Sequence, residues 1–140
     1  QSKKNSRNSF NIGLKNTIEN YKNINVELYF INQVPMQLFS AKFAYQNSFD
    51  KINNSVDEDK LNNISVDFEK NMKLQSFVRK KVNIYKNKES SFNTIDLNEF
   101  FCEDKKCLIG NKNFSFYADD DHLSIEGAKA VKNELKKYLN

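Results

Sequence analysis

Val26-Glu27-Leu28-Tyr29-Phe30-Ile31, closed by Asn32-Gln33-Val34-Pro35, is the stretch on which the fold turns. It is rich in strand formers and apolar almost throughout, which predicts a strand buried inside a sheet rather than one at its edge. Pro35, the single proline of the chain, ends it. Just upstream, Phe10, Leu14, Ile18 and Tyr21 recur at helical spacing. Residues 9 to 22 therefore predict an amphipathic helix with Lys and Asn on its other face, broken by Asn23 to Asn25.

Outward from this pair the pattern continues. Residues 36 to 57 carry isolated aromatics (Phe39, Phe43, Tyr45, Phe49) among polar residues and predict a long loop or a loop with a short helix, of the kind that shapes active sites. Residues 58 to 86 predict a long helix whose apolar stripes, Leu61-Ile64-Phe68-Met72 and Leu74-Phe77-Val78-Val82-Tyr85, are offset enough to ask for a kink near Met72 to Leu74. Asn93 to Leu97 predict a second strand, followed by a cysteine loop and a short hairpin through Phe114, Phe116 and Tyr117. Ser124 can cap a last helix in which Ala128, Val131, Leu135 and Tyr138 or Leu139 form the packing stripe. The order helix, strand, helix, strand, helix predicts a layered α/β fold with a parallel sheet, its functional loops at the carboxyl ends of the strands. No repeat or Gly/Pro/Ser-rich linker interrupts residues 1–140, which read as one domain.

Composition narrows the function classes. The chain has 140 residues with 39% apolar and 13% aromatic content, enough for a modest core. Its net charge of +4 is spread along the whole length. The basic runs Arg79-Lys80-Lys81 and Lys136-Lys137 fall in helical patterns and Lys3, Lys4 and Arg7 make only a small basic start, so a nucleic-acid partner is not expected. No apolar run approaches the roughly 18 to 20 residues of a bilayer span, and the start lacks the apolar core of a signal peptide. Cys102 and Cys107, four residues apart in FCEDKKCLIG, make a poor zinc site. Spacing alone leaves open a small-loop disulfide, which belongs to an oxidising compartment, and a pair of reduced structural thiols in the cytosol.

Chemistry concentrates in Tyr117 to Ala128, YADDDHLSIEGA. His122 is the only histidine and stands just before a helix start, with Asp119 three residues earlier. A D-x-x-H turn lets the aspartate fold back onto the imidazole, fix its tautomer and stabilise the imidazolium formed when the ring takes a proton from a serine hydroxyl. Two plainer readings stand beside it: Asp119, Asp120 and Asp121 also favour the dipole of the following helix, and the same residues with His122 could be offered to a metal. The metal reading is the weaker, because consecutive residues point in different directions and no second ligand cluster exists; no cofactor is expected.

The order of Asn32-Gln33-Val34-Pro35 ending a strand, a Cys-x4-Cys loop, and Tyr117-x-Asp119-Asp120-Asp121-His122-Leu123-Ser124-x-x-Gly127-Ala128 resembles the C-terminal half of the SGNH domain fused to membrane acyltransferases of the acyltransferase-3 family. The resemblance orders most of the chain from residue 9 to 139, and its last block is the most specific. It implies part of an SGNH-hydrolase-like, flavodoxin-like three-layer α/β fold with a parallel sheet whose N-terminal part is absent. It implies an extracytoplasmic domain, periplasmic or at the cell surface, tethered through a membrane acyltransferase domain in the same parent chain. Its partners would be an acyl donor and a surface polysaccharide acceptor, such as lipopolysaccharide or peptidoglycan, which it O-acetylates. It also favours the Cys102–Cys107 disulfide and gives Asp119 and His122 the roles of triad aspartate and histidine. Asp120, Asp121, Leu123, Ser124 and Gly127 match the surrounding pattern, where turn formation, capping and close packing are expected.

One part of the family pattern has no counterpart here. There is no Gly-Asp-Ser block for a nucleophile and no glycine and asparagine blocks for an oxyanion hole, all of which are expected upstream of Gln1. Ser2, Ser6 and Ser9 sit in a polar start with no preceding strand and are no substitute. The chain alone is therefore expected to be inactive. The alternative is a non-catalytic glycan or surface-interaction module that keeps the fold without the nucleophile and uses the aromatics of residues 36 to 57.

Overall fold

The computed structural model describes residues 2–138. In chain order these form α1 (Lys3–Asn23), β1 (Leu28–Ile31), α2 (Ala41–Ser48), β2 (Phe49–Asp50), β3 (Ser55–Val56), α3 (Glu58–Ile64) and β4 (Val66–Asp67). There follow α4 (Phe68–Lys86), β5 (Phe92–Ile95), α5 (Asn98–Phe101), β6 (Cys102–Glu103), β7 (Lys106–Cys107) and α6 (Ile125–Lys136). They fall into two compact units, one drawn from the chain up to Ile31 and from Phe77–Ile95, the other from Asn32–Ser76 and from Asp96 onward.

The first unit holds the parallel pairing that the sequence predicts. β1 and β5 lie side by side in the register Leu28 to Phe92 through Ile31 to Ile95. Leu28 and Phe30 point into a cluster with Leu14 and Ile18 of α1 and Val82 of α4, while Phe92 closes it from β5. The result is a mixed α/β arrangement with helices against a parallel sheet. The expectation of a strand buried on both faces is not met: Tyr29 and Ile31 are 37% and 49% exposed, because the described sheet has two strands and its helices pack on the Leu28/Phe30 side. α1 starts earlier than its apolar stripe suggests, since the Ser2 hydroxyl accepts from the Asn5 N–H and caps six further polar residues into the helix. Asn25, at φ 54°, takes the left-handed conformation that ends it.

In the second unit residues 36 to 57, read as a long loop or a loop with a short helix, hold the short helix α2 and, beyond that reading, a small hairpin. Ser40 caps α2, its hydroxyl accepting from Phe43 N–H at 3.4 Å, and β2 and β3 pair antiparallel around a turn with Asn54 at φ 48°. Ala41, Ala44, Leu61, Ile109 and Tyr117 form the core, and fully burying a side chain such as Leu61 contributes about 1.5–3 kcal/mol. The helix expected over 58 to 86 is broken at Ser65 to Asp67, and Met72 to Leu74 lie within α4. Ser65 is the C-cap of α3: its N–H still donates to Leu61 O at 3.1 Å, its hydroxyl donates to the same carbonyl at 3.0 Å and accepts from Ile109 N–H at 3.0 Å, and its ψ of 148° turns the chain out of the helix. Val66 and Asp67 then pair with Cys107 and Lys106. The first stripe is thus divided, Leu61 and Ile64 in α3 and Phe68 and Met72 in α4 with the whole second stripe, by a strand that pairs with a distant segment. The strand read at 93 to 97 lies at Phe92–Ile95, and the hairpin read through Phe114 to Tyr117 is reduced to two bridges, Gly110 to Ser115 and Tyr117 to Leu123. Leu139, offered as part of the last stripe, lies outside the described residues.

Candidate active site

The segment from Phe116 to Gly127 is held from below before it presents any chemistry. Tyr117 is buried and forms the bridge to Leu123, the Ala118 N–H donates to His122 O at 2.8 Å, and Ser124 N–H donates to Phe116 O at 2.9 Å. Ala118 to His122 is therefore a small closed loop on a fixed base. Ser124 locks its exit: the hydroxyl donates to Ser115 O at 2.7 Å and accepts from Gly127 N–H at 2.9 Å, capping α6. A Cβ on Gly127 would strike the Phe116 carbonyl, so the close approach of α6 to this loop requires glycine.

Within the loop Asp119 does two things at once. Its Oδ1 accepts from Asp121 N–H at 3.0 Å and His122 N–H at 2.8 Å, the turn that aspartate side chains favour. Its Oδ2 lies 2.9 Å from His122 Nδ1. Asp121 Oδ1 lies 2.9 Å from the same nitrogen. Ionised carboxylates only accept, so Nδ1 carries the proton and Nε2 of the neutral ring is left as acceptor, the tautomer a general base needs. The two backbone N–H donors, with the imidazole behind them, hold the Asp119 carboxyl well below the ordinary carboxylate range. The hydrogen bond and charge of Asp119, then the charge of Asp121, raise His122 above the usual imidazole value. The imidazole is 76% exposed, so these interactions act in water and are screened.

A second support comes from residues that sequence reading did not single out. Gln37 N–H donates to Asp120 O at 2.7 Å and Ala41 N–H to Asp119 O at 2.9 Å, so residues 37 to 41 clamp the acidic loop from outside. The Gln37 side chain is itself buried, its amide donating to Cys107 O at 2.9 Å and accepting from Val66 N–H at 3.1 Å. A lone glutamine two residues after a proline gives no warning of this role, because each partner is distant in sequence. Nearby, Asn71 accepts from Met36 N–H and donates to Asn98, and Gln75 donates to the Gln33 and Val34 carbonyls. These buried amides explain the Asn32-Gln33-Val34-Pro35 exit better than a site role does, since they satisfy the backbone where β1 ends.

Cys102 and Cys107 are joined as a disulfide. β6 and β7 set the two opposite each other across a two-residue turn, Asp104 and Lys105, both at positive φ (46° and 70°). Asp119, Asp121 and His122 also form a group able to converge on a cation, its ligand atoms within 4.8 Å of one another. Their donor atoms are already engaged with each other and with backbone N–H groups, the arrangement of a hydrogen-bonded dyad. Ser115 and Ser124, the serines nearest in sequence, commit their hydroxyls to Tyr117 O, Ile109 O, Ser115 O and Gly127 N–H.

The sequence of residues 1–137 matches the family described as SGNH domain (fused to AT3 domains). With nearly the whole chain matched, the protein belongs to that family. No curated protein and no solved structure matched it.

Proposed function

We propose that this SGNH domain supplies the Asp–His half of a Ser-His-Asp triad in a serine O-acyltransferase whose parent chain carries a membrane acyltransferase domain. His122 Nε2 takes the proton of a serine hydroxyl contributed by residues outside this chain as the serine oxygen bonds to the acyl carbon. The imidazolium, stabilised by Asp119, returns that proton to the departing donor group. In the second half the same nitrogen deprotonates an acceptor hydroxyl, which takes the acyl group and frees the serine. The acyl group is most often acetyl and the acceptor a cell-surface polysaccharide such as lipopolysaccharide or peptidoglycan; water in place of the sugar makes the enzyme an esterase. The observation that carries this reading is the Asp119 Oδ2 to His122 Nδ1 contact at 2.9 Å on an exposed ring whose Nε2 meets no partner among the described residues.

The disulfide supports placement in an oxidising, extracytoplasmic compartment. No helix among the described residues is long and apolar enough to cross a membrane, so in this reading tethering comes through the acyltransferase-3 domain to which the family is fused. In this reading the nucleophile and oxyanion hole are supplied by other residues of the parent protein, and these 140 residues by themselves are expected to be inactive. The test is labelling of the parent protein by a serine-directed fluorophosphonate and release of acetate from a model ester. Both should be lost in His122→Ala, and full activity in that variant overturns the assignment. A non-catalytic glycan-binding module is the second reading, favoured by the exposed Phe39 and Phe43; ester turnover by the parent protein would eliminate it.

A further inference from the structure

Between the two backbone hydrogen bonds that clamp the acidic loop, Gln37 N–H to Asp120 O and Ala41 N–H to Asp119 O, the chain has only Leu38, Phe39 and Ser40. Phe39 therefore projects from a segment whose two ends are fixed to the backbone that carries the Asp119–His122 pair. Phe43, one helical turn further on, stacks on it with ring centroids 4.8 Å apart and planes at 23°. The pair remains wet: Phe39 is 45% and Phe43 44% exposed, and Leu38 beside them 42%. Phe39 and Phe43 belong to neither buried cluster, so their packing into a core does not explain them. The stacked rings still leave close to half of each side chain in water, apolar surface that burial by a ligand would remove.

From this we propose that Phe39 and Phe43 form the acceptor subsite, a flat aromatic platform on which a pyranose ring of the glycan stacks with its hydroxyl directed toward His122. The inference rests on the acyltransferase reading above and adds the residues that choose the acceptor. A sugar fits the chemistry because its ring offers an apolar C–H face to the aromatic pair and a polar rim to water. Of the residues next to the pair in sequence, Ser40, Lys42, Gln46 and Asn47 are polar and exposed and Leu38 is apolar and exposed. An acyl chain would want an enclosed apolar slot; two side-by-side rings open to solvent offer a face instead. The platform is a positioning and binding element and takes no part in proton transfer.

The experiment uses the parent protein with para-nitrophenyl acetate as donor and a soluble N-acetylglucosamine oligosaccharide as acceptor. Phe39→Ala/Phe43→Ala is expected to raise the half-saturating oligosaccharide concentration by about tenfold or more, equivalent to ~1.4 kcal/mol. Hydrolysis of the ester in the absence of sugar should stay unchanged. Phe43→Leu, which keeps apolar volume and loses the flat face, should behave like the alanine variant, and Phe43→Tyr should restore the parent value. Unchanged half-saturation in the double variant overturns the proposal, as does an equal fall in hydrolysis and transfer or rescue by leucine, which would indicate an acyl or structural role. Calorimetric binding of the oligosaccharide to the His122→Ala parent protein separates the two ideas. Binding there that is lost on adding Phe39→Ala/Phe43→Ala supports the platform even where ester turnover fails and sinks the triad. Absence of saturable binding overturns the platform while leaving the triad to the ester assay.

Discussion

Replacing Asp119 by asparagine tests the site most sharply, because the structure gives the carboxylate two separable jobs. The asparagine oxygen can still accept from Asp121 N–H and His122 N–H, so the loop should keep its shape. The amide nitrogen then faces His122 Nδ1 and can only donate to it, which favours the proton on Nε2 and removes the acceptor that a serine hydroxyl needs. In a triad with one orienting carboxylate that inversion costs about 10⁴ in rate. Here Asp121 Oδ1 is 2.9 Å from the same nitrogen and can hold the original tautomer in part. We therefore expect Asp119→Asn to lower turnover of the parent protein by about 10² and Asp119→Asn/Asp121→Asn by about 10⁴, the span general-base catalysis covers. Since His122 is the only histidine, nitrogen-detected NMR of the chain reads its tautomer and titration without interference. The unmodified ring should titrate above 6.5, fall in Asp119→Asn and fall further in the double variant. The acid limb of the parent enzyme's pH profile should move the same way, toward lower pH, as each carboxylate is removed. A wild-type ring titrating at or below 6.5, or a single variant already equal to the double, would refute the shared-carboxylate reasoning.

Other outcomes follow from the same contacts. Ser124→Ala removes a helix cap and a hydrogen bond to Ser115 O, about 1 kcal/mol each, so urea unfolding should show a loss of about 2 kcal/mol, with Ser124→Thr recovering most of it. Lys105→Gly relieves a φ of 70° on a residue that carries a Cβ and should stabilise the chain by about 1 kcal/mol in the same assay. Reducing Cys102–Cys107, whose sequence separation is 5, should cost about 2 kcal/mol by the loop-entropy relation. The pH dependence of stability has opposite signs at the two site residues. The raised His122 contributes below 6.5 and loses its contribution as pH rises through the folded value, whereas the depressed Asp119 contributes above 3.8 and loses it as pH falls below that. Calorimetric melting of Asp119→Asn should therefore show a flatter acid side than the parent chain.

Local chemistry was legible in the sequence wherever the partners were close along it. Asp119 and His122 are three residues apart and the contact read from that spacing is the contact found, and Ser124, read as a helix cap, caps α6 through the Gly127 N–H. The parallel pairing was legible too, because helix periodicity around two apolar runs leaves few ways to bury them. What escaped were decisions taken by distant segments. The break at Ser65 depends on Ile109 and Cys107, forty-odd residues on, and the clamp on the acidic loop depends on the backbone N–H of Gln37 and Ala41, which any residue but proline could supply. The exposure of Tyr29 and Ile31 escaped for a related reason: composition says that a strand wants burial and is silent on how many neighbours it has.

In the proposed reaction water competes with the sugar hydroxyl for the acyl-enzyme and is present at far higher concentration. Transfer therefore requires that the acceptor be bound and oriented before the acyl-enzyme is attacked, a gain in effective concentration that the dyad itself does not provide. Nothing in the Asp119–His122–Asp121 geometry distinguishes one hydroxyl from another, since it fixes only the proton acceptor. In the proposal selectivity comes from a surface that positions the acceptor, and the segment clamped to the backbone of Asp119 and Asp120 is attached where such a surface is needed. If the platform of Phe39 and Phe43 is what tilts the balance, its removal should convert the parent enzyme from transferase toward esterase, with the ratio of acetylated sugar to free acetate falling while total ester turnover holds. A ratio that stays constant would mean that water is excluded by some other part of the assembled site.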